Sequence, residues 1–283
     1  MSVILELDKV NFTYSKFISP EPGKSFYLSD IKAEISEGDF ISVIGKNGSG
    51  KSTLVKLISR ILTGYSGNIL FKGKDIKGIN RKEYSRSVSY LPQTSASLNS
   101  DFSVKEFLLL GRYSSKKFSD FSYSDEDRDI VSASIAETGT ERLAGKYIYE
   151  LSGGERQKVL LTLGLVQLNT SGDLKGKILI IDEPLTYLDV SYQIEIFSIL
   201  KKLHDRGLTV IIVIHDLALA LNYSEKAILM NEGIIVKYSG SENVITETVL
   251  SEYFQVNSRI VSHENNFLIN YSSQKNYQHT NEL

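Results

Sequence analysis

The chain has 283 residues, of which 41% are hydrophobic and 23% charged, and its formal net charge is −2. This length predicts one large domain or two small ones, with room for a subdomain. The chain has no excess of basic residues that would indicate nucleic-acid binding. The absence of cysteine excludes disulfides and zinc–thiolate sites. The start, MSVILELDKV, lacks a signal-peptide pattern, and the longest apolar runs are too short to span a bilayer.

The first part of the chain predicts a strand, a loop, a second strand and a helix. Residues 3–14 have a strand pattern, and residues 16–25 hold two of the four prolines, which predicts a loop. FISVIG at 40–45 is a short apolar run that ends in glycine, as a buried strand does. The following segment places four apolar residues at helical spacing: Leu54, Leu57, Ile58 and Ile61.

Residues 94–158 differ from the segments around them because helical patterns dominate. One predicted helix carries Val104, Phe107, Leu108 and Gly111 on a single face. SDED at 124–127 is a capping sequence that predicts the start of another helix. We interpret this region as a helical insertion into an α/β core.

The second half of the chain returns to alternating strands and helices. KILIID at 177–182 and TVIIVIH at 209–215 predict buried strands. An amphipathic helix lies between them, with its apolar face marked by Ile196, Ile199, Leu200 and Leu203. This alternation favours a parallel α/β sheet. From His263 onward the sequence is polar, and we expect it to be loosely ordered.

GKNGSGKS at 45–52 fits the phosphate-binding pattern G-x-x-x-x-G-K-[ST]. Glycines allow backbone N–H groups to turn toward a β-phosphate, and the helix that follows directs its N-terminus at the same anion. We expect Lys51 to reach the β- and γ-phosphates, Ser52 to offer an oxygen to Mg²⁺, and Thr53 to bond the α-phosphate. The alternative is a chance glycine turn, which the position between strand and helix disfavours. The predicted nucleotide-binding residues of this loop are Gly45, Lys46, Asn47, Gly48, Ser49, Gly50, Lys51, Ser52 and Thr53.

Other polar residues follow apolar stretches where a phosphate-loop ATPase would need them. Asp182 and Glu183 end the apolar strand in ILIIDEP at 178–184, so Asp182 is expected in the Mg²⁺ shell and Glu183 beside the attacking water. Gln93 in YLPQ could reach the metal or the water, and His215 could contact the γ-phosphate. Each of these residues also has a structural interpretation when it is considered alone. The acidic pair could be part of a turn, Gln93 could be an ordinary loop residue, and His215 could be structural.

A second glycine turn, LSGGERQKV at 151–159, precedes another predicted helix. With these motifs assembled, the chain resembles the ATPase subunit of ABC transporters over roughly residues 3–260, and LSGGERQKV looks like the signature sequence of that family. The resemblance implies an α/β fold with a P-loop NTPase (RecA-like) core, an N-terminal antiparallel β subdomain and an inserted helical subdomain at about 94–158. It implies an ABC ATPase domain over 1–260 and a polar C-terminal tail over 261–283.

The resemblance also implies a role for each motif. Gly45 to Thr53 match the Walker A loop, and Asp182 with Glu183 match the Walker B pair. The remaining matches are Gln93 with the Q-loop, His215 with the switch histidine, Asp189 with the D-loop aspartate, and Tyr14 with the aromatic residue that stacks on adenine. Phe12 and Phe17 are alternatives to Tyr14.

In the family that the chain resembles, two ATPase subunits pack head to tail, and each ATP with its Mg²⁺ lies between them. The signature residues would then form a trans site for the ATP held by the opposite subunit, and Ser152, Gly153 and Gly154 would bind its γ-phosphate. The residues of this trans site are Leu151, Ser152, Gly153, Gly154 and Glu155. A serine hydroxyl, glycine N–H groups and a helix N-terminus are together suited to an anion. Phosphoryl transfer to water would involve Lys51, Gln93, Glu183 and His215.

Two further segments point within the family to importers. VKEFLLLGRYSS at 104–115 and the end segment 233–254 look like ATPases that serve bacterial uptake of iron–siderophore complexes, haem or cobalamin. An isolated Gly111–Arg112 would equally suit a helix end with a solvated arginine. Pro184–Leu185–Thr186 and the long link at 169–177 depart from the usual pattern, and the link is closer to cobalamin and haem ATPases.

The importer resemblance implies partners and a location. The partners are a second ATPase subunit, two transmembrane permease subunits and, indirectly, a periplasmic or lipoprotein substrate-binding protein, with no nucleic acid. The implied location is peripheral, on the cytoplasmic face of the membrane, with the Q-loop and region 94–158 facing the permease. A soluble ABC ATPase acting on DNA or the ribosome is the alternative from another class.

Overall fold

The computed structural model describes residues 2–14, 27–93, 101–116, 122–183, 189–264 and 266–272. The strands in these ranges are β1 (Val3–Thr13), β2 (Tyr27–Ser36), β3 (Phe40–Ile44), β4 (Ser66–Phe71), β5 (Lys74–Asp75), β6 (Val88–Leu91), β7 (Ile178–Asp182), β8 (Thr209–Val213), β9 (Lys226–Asn231), β10 (Ile234–Gly240), β11 (Asn257–His263) and β12 (Asn266–Ser272). The α-helices are α1 (Lys51–Ile58), α2 (Arg81–Ser87), α3 (Val104–Leu109), α4 (Asp125–Thr138), α5 (Gly153–Leu168), α6 (Val190–Asp205), α7 (Leu217–Tyr223), α8 (Ser241–Val244) and α9 (Glu247–Val249). Short 3₁₀ helices span Ile76–Gly78, Leu110–Ser115, Glu141–Leu143 and Ile148–Glu150, and a π-helical turn spans Leu250–Phe254.

A six-stranded sheet in the order β10-β9-β3-β8-β7-β6 forms the centre of the molecule. Its strands are parallel except β10, which pairs antiparallel with β9. Every residue of β3, β7 and β8 is buried, as expected of strands that are covered on both faces. The predicted parallel α/β core is therefore confirmed, with its strands at the three apolar runs identified in the sequence.

The two faces of this sheet bury different clusters because side chains alternate along each strand. Ile41 and Val43 of β3 pack in a cluster that includes residues of β1, β2, β4 and α1. Phe40 and Ile44 pack on the opposite face, with residues of α5, α6 and α7. The first face is covered partly by an antiparallel sheet in the order β2-β1-β4-β5, which corresponds to the predicted N-terminal β subdomain.

The helical region between β6 and β7 has a core of its own, formed by residues of α3, α4 and α5. The predicted start at SDED is correct, since Ser124 and Asp127 make a capping box at the N-terminus of α4. Arg112 is not a solvated arginine: it is 7% exposed, and its Nε lies 2.9 Å from Asp127 Oδ1. Gly111 allows close packing here, because a Cβ on it would lie 3.0 Å from the Leu163 carbonyl oxygen.

The described residues beyond His263, which end at Ser272, are ordered, contrary to the expectation from their polar composition, and residues 273–283 of the expected loose tail lie outside the described residues. Strands β11 and β12 pair in continuous antiparallel register, and one face carries the partly buried Ile260, Phe267 and Ile269 against the core. The side-chain amide of Asn222 in α7 donates to Phe267 O at 2.9 Å and accepts from Phe267 N at 2.7 Å. Strand β11 crosses residue 260, and the division of the chain at that residue remains a prediction.

Candidate active site

The phosphate-type loop at 45–50 joins β3 to α1 and is shaped by glycines. Gly45 has φ 148°, and a Cβ on it would lie 2.2 Å from the Met230 carbonyl oxygen. Gly50 precedes α1 at φ 109°, and within the described chain no side chain caps this helix. The N–H groups of its first turn are therefore free of side-chain caps and suited to an anion.

Lys51, the first residue of α1, folds back over this loop. It is 5% exposed, and its Nζ donates to Gly45 O at 2.9 Å and to Lys46 O at 3.1 Å. Burial lowers the pKa of Lys51, while the nearby carboxylates of Glu183 and Asp182 act in the opposite direction. The buried Lys51 ammonium is hydrogen-bonded to carbonyl oxygens. When a nucleotide binds, phosphate oxygens can replace these carbonyl oxygens, so the charge is never left buried without a partner.

The carboxyl ends of β3, β6, β7 and β8 meet at one edge of the sheet, which places the other polar residues beside the loop. Asp182 ends β7, is 2% exposed, and accepts a hydrogen bond at each carboxylate oxygen. Ser52 Oγ donates to Oδ1 at 2.8 Å, and the Tyr90 hydroxyl donates to Oδ2 at 3.0 Å. Burial, followed by the charge of Asp182, raises the pKa of Tyr90, which therefore stays a hydrogen-bond donor.

Glu183 joins two residues that arrive from separate strands. Gln93 Nε2 donates to Glu183 Oε2 at 2.8 Å, and His215 Nε2 lies 2.7 Å from Glu183 Oε1. The backbone of Glu183 is in the left-handed region at φ 50°. Such a conformation is costly for a residue other than glycine and is found preferentially at functional sites.

These residues surround one open cavity of about 620 Å³, a size suited to a nucleotide. The lining residues are Tyr14, Asn47, Gly48, Gly50, Lys51, Ser52, Thr53, Gln93, Glu183 and His215. The Tyr14 ring is 42% exposed, and its hydroxyl lies 3.3 Å from Thr53 Oγ1. Phe12, the first alternative to Tyr14, is only 8% exposed and packs edge-to-face against it, while Phe17 lies outside the described residues.

The second glycine turn lies at a different place, and none of residues 151–155 is among the described residues that line this cavity. Ser152 caps α5 and forms a capping box with Glu155. The hydrogen bond from Ser152 N, together with Lys146 Nζ at 3.0 Å, lowers the pKa of Glu155. Leu151 is buried, whereas Ser152 and Gly153 are exposed to solvent.

Asp189 caps the neighbouring helix α6 by accepting from Tyr192 N at 3.0 Å and Ser191 Oγ at 2.7 Å. These hydrogen bonds lower the pKa of Asp189. Tyr192 brings α6 against the second glycine turn, since a Cβ on Gly154 would lie 2.9 Å from its ring. The structure thus places Asp189 and the second turn on adjoining helix ends. Pro184, Leu185 and Thr186 lie outside the described residues.

Comparison with known proteins assigns this arrangement to a family. Residues 28–186 match the model of the ABC transporter family. The chain belongs to that family. The predicted family resemblance and the P-loop NTPase fold class are therefore confirmed.

Several curated relatives cover most of this ABC transporter family member. The iron(3+)-hydroxamate import ATP-binding protein FhuC of Bacillus subtilis is 34% identical, over 85% of this chain and 86% of the relative. The ferric enterobactin transport ATP-binding protein FepC of Escherichia coli is 32% identical, over 84% of this chain and 85% of the relative. The cobalamin import ATP-binding protein BtuD of Halobacterium salinarum is 31% identical, over 80% of this chain and 54% of the relative.

Solved structures share the fold of this family member. A chain of an ABC transporter in an inward-facing conformation superposes with a TM-score of 0.78 at 21% identity, covering 97% of this chain and 99% of that one. CbiO1 of Clostridium perfringens, part of the ABC transporter complex cbiONQ, gives a TM-score of 0.71 at 26% identity, covering 88% and 93%. Within the described ranges of this chain, every helix is too short or too polar to cross a membrane.

Tyr90 is the residue of this site that the sequence did not reveal. A tyrosine three positions before Gln93 on a short strand has no local pattern that indicates a partner. Its contact with Asp182 joins residues 92 positions apart and depends on the pairing of β6 with β7.

Proposed function

We propose that this chain is the ATP-hydrolysing subunit that energises a membrane importer of iron–siderophore complexes. The observation that carries the proposal is the cavity lined by Lys51, Ser52 and Glu183 at the end of a parallel sheet. Asp182 adjoins this cavity, since it accepts a hydrogen bond from Ser52. Relatives that span most of the chain are named for the import of iron(3+)-hydroxamate and the transport of ferric enterobactin. Their functions guide the choice of substrate class.

In this proposal ATP binds with its phosphates on the loop from Gly45 to Thr53 and its adenine on Tyr14. The α1 N-terminus and Lys51 Nζ supply donors to the phosphate oxygens, and the lysine exchanges its carbonyl partners for them. The exposed ring of Tyr14 supplies an apolar surface for the base.

Mg²⁺ is the metal that the oxygen donors of this cavity fit. Among the described residues, no group of three or more histidine and acidic side chains could hold a metal by itself. This agrees with Mg²⁺ chemistry, since the ion is commonly held by one or two carboxylates together with substrate phosphates and water. Ser52 and Asp182, whose oxygens are 2.8 Å apart, would hold it, with Gln93 as a further ligand. The ion supplies charge neutralisation on the phosphates.

Hydrolysis transfers the γ-phosphoryl group to water. The new bond joins the water oxygen to phosphorus, the bond to the β–γ bridging oxygen breaks, and ADP and phosphate leave. Glu183 orients the attacking water, while Gln93 and His215 hold the Glu183 carboxylate from both sides. Lys51 and His215 also stabilise the negative charge that develops on the phosphoryl oxygens.

The exposed second turn acts in trans in a pair of ATPase subunits, which we propose is a homodimer. Ser152, Gly153 and Gly154 offer a hydroxyl and N–H groups at a helix N-terminus, with Leu151 and Glu155 holding the turn. Asp189 lies at the adjoining helix end and would contact the opposite subunit. A cassette of similar fold, MJ0796, is described as dimeric at a TM-score of 0.69 and 23% identity.

The pair of ATPases would act with two transmembrane permease subunits, and indirectly with a periplasmic or lipoprotein substrate-binding protein. We place the chain at the cytoplasmic face of the membrane as a peripheral subunit. The Q-loop and the helical region 94–158 would face the permease.

A second candidate cargo is cobalamin. The cobalamin import relative matches 80% of this chain at 31% identity, and the long link at 169–177 is of the kind found in cobalamin and haem ATPases. Haem stays a third member of the same importer group. The chemistry of the ATPase is the same for all three, so only transport distinguishes them.

The experiment that tests the proposal uses Glu183→Gln. We expect phosphate release to fall by about 10³-fold while ATP binding persists, because the variant keeps its size but no longer orients water as a carboxylate. The control is Glu232→Gln, another glutamate at positive φ (47°) that is exposed. Normal phosphate release from Glu183→Gln would contradict the role of Glu183.

Transport then identifies the cargo. In a strain that lacks the gene, we expect the wild-type chain and Glu232→Gln to restore uptake of radioactive iron on a hydroxamate siderophore, and Glu183→Gln to fail. Restoration of labelled cobalamin or haem uptake alone would replace the siderophore assignment. Restoration of none of the three would contradict the importer function.

A further inference from the structure

One four-residue segment, Tyr90–Gln93, holds both carboxylates at the end of β7. Tyr90 donates to Asp182 at 3.0 Å, and Gln93 donates to Glu183 at 2.8 Å. The proposed function gives Gln93 a role but leaves Tyr90 without one. The register explains how the two contacts arise, since Tyr90 pairs with Ile180 across the β6–β7 ladder, two residues before Asp182.

The hydroxyl of Tyr90 completes the restraint on Asp182. Ser52 donates to Oδ1 and Tyr90 to Oδ2, so rotation of the carboxylate breaks two hydrogen bonds at once. The carboxylate is 2% exposed, so water does not readily replace either donor. Ser52 lines the cavity, and Oδ1 is therefore the oxygen on the cavity side.

The ring of Tyr90 lies away from the nucleotide cavity. It lines a separate groove with Ser59, Arg60, Ile61, Tyr113 and Gln167, between the sheet core and the helical region, and it is absent from the residues that line the nucleotide cavity. Tyr90 is half-buried and packs partly against the core cluster of β1 and α1. It is thus placed behind Asp182, where it can orient the carboxylate without touching the substrate.

We propose that Tyr90 is a positioning residue for the Mg²⁺ ligand Asp182. The proposal rests on the proposed function, because it assumes that Asp182 and Ser52 hold Mg²⁺ with the nucleotide. By fixing Oδ2, Tyr90 keeps Oδ1 beside Ser52, where the two oxygens together would hold the metal. Loss of a residue that hydrogen-bonds a metal ligand commonly lowers metal affinity by roughly 10–100-fold.

The test compares Tyr90→Phe with Tyr84→Phe in the full chain. Both variants keep the ring and remove one hydroxyl donor, and both tyrosines line the same groove. The Tyr84 hydroxyl donates to Ile58 O at 2.6 Å and does not reach Asp182. Tyr84→Phe therefore reports what the loss of a hydrogen-bonded hydroxyl does to the fold alone.

The readout is ADP affinity by calorimetry, in EDTA and over a series of Mg²⁺ concentrations, together with the melting temperature. For Tyr90→Phe we expect unchanged ADP affinity in EDTA and an increase of about tenfold in the Mg²⁺ concentration that half-saturates the metal-dependent binding. For Tyr84→Phe we expect a lower melting temperature and an unchanged Mg²⁺ requirement. ADP binding in EDTA also shows that each variant is folded.

Three results would overturn the proposal. An unchanged Mg²⁺ requirement in Tyr90→Phe, or an equal shift in both variants, would leave the metal site standing and remove Tyr90 from it. A wild-type chain whose ADP affinity does not respond to Mg²⁺ would overturn the metal site together with the role of Tyr90. The wild-type titration therefore separates failure of this inference from failure of the function on which it rests.

Discussion

The two glycine turns of this chain, at 45–53 and 151–155, both lead into a helix but have different surroundings. In the first, Gly45, Ser49 and Lys51 are buried, and α1 begins without a side-chain cap in the described chain. In the second, Ser152 and Gly153 are exposed, and a capping box already satisfies the start of α5. A phosphate site needs backbone N–H groups that no side chain already occupies. A helix N-terminus that is exposed to solvent when no ligand is bound is stabilised by a side-chain cap.

The capped turn is not closed to a ligand. Ser152 Oγ accepts from Glu155 N at 3.3 Å, and its hydroxyl also hydrogen-bonds the Glu155 carboxylate, a partner that an anionic ligand oxygen can replace. The two turns therefore differ in what completes them. The first meets its other groups within its own chain, and we propose that the second requires another subunit.

The largest effect is expected from a substitution that disrupts the second turn alone. We expect Ser152→Arg to abolish ATP-driven dimerisation and to lower turnover about 100-fold or more, because a bulky cation replaces a donor at the subunit contact. Nucleotide affinity of the single chain should remain. Light scattering measures the dimer, in a Glu183→Gln background that retains ATP. The control is Ser171→Arg, at an exposed serine beyond the other end of α5, and dimerisation of Ser152→Arg equal to this control would refute a trans role.

An effect of intermediate size is expected when the glycine packing of the two turns is compared by alanine substitution. We expect Gly45→Ala to lower the free energy of unfolding by about 1–3 kcal/mol, because its Cβ would lie 2.2 Å from Met230 O and its φ is 148°. Gly153→Ala should change stability by less than about 0.5 kcal/mol, since among the described residues no atom beyond its own turn of helix would lie within 4 Å of a Cβ there. Urea unfolding measures both, and equal losses would mean that the turns are equally constrained.

The smallest effect removes the charge from the capping box of the second turn. We expect Glu155→Gln to lower the free energy of unfolding by about 1 kcal/mol or less at pH 7. The native pKa of Glu155 is lowered, so its contribution is present above the unfolded pKa of about 4.3 and disappears as pH falls through the native value. The difference from wild type should therefore vanish in acid.

Urea unfolding at pH 7 and below pH 4 measures this difference, with the pH limits set by the carboxyl pKa of about 4.3. Glu126→Gln, in the exposed first turn of α4, serves as the control because Ser124 and Asp127 make the cap there. A stability difference for Glu155→Gln that stays constant over this range would contradict the charged capping interaction.

The core and much of the site could be predicted because their signals are local. The apolar runs in 177–182 and 209–215 form β7 and β8. The polar residues at the ends of these segments, Asp182 and His215, meet at one sheet edge because the strands are parallel. The loop at 45–50 lies between a strand and a helix, as its spacing predicts. Roles in catalysis and in the subunit pair remain proposals.

The rest could not be predicted because it depends on contacts between distant segments. Tyr90 reaches Asp182 only after β6 pairs with β7. The hairpin of β11 and β12 has a polar composition that indicates disorder, but its alternating Ile260, Phe267 and Ile269 find an apolar surface next to α7. Composition reports the average polarity of a segment. A strand of polar average composition can still pack if its apolar residues alternate and so lie on one face.

The backbone of Glu183 sets stability and chemistry against each other at one position. Its left-handed φ of 50° is a conformation that glycine adopts without strain and that costs other residues on the order of 1–3 kcal/mol. The hydrogen bonds from Gln93 and the contact with His215 hold the carboxylate there. Backbone strain alone would therefore favour glycine at residue 183, and in the proposed function the glutamate offsets that cost by orienting the attacking water.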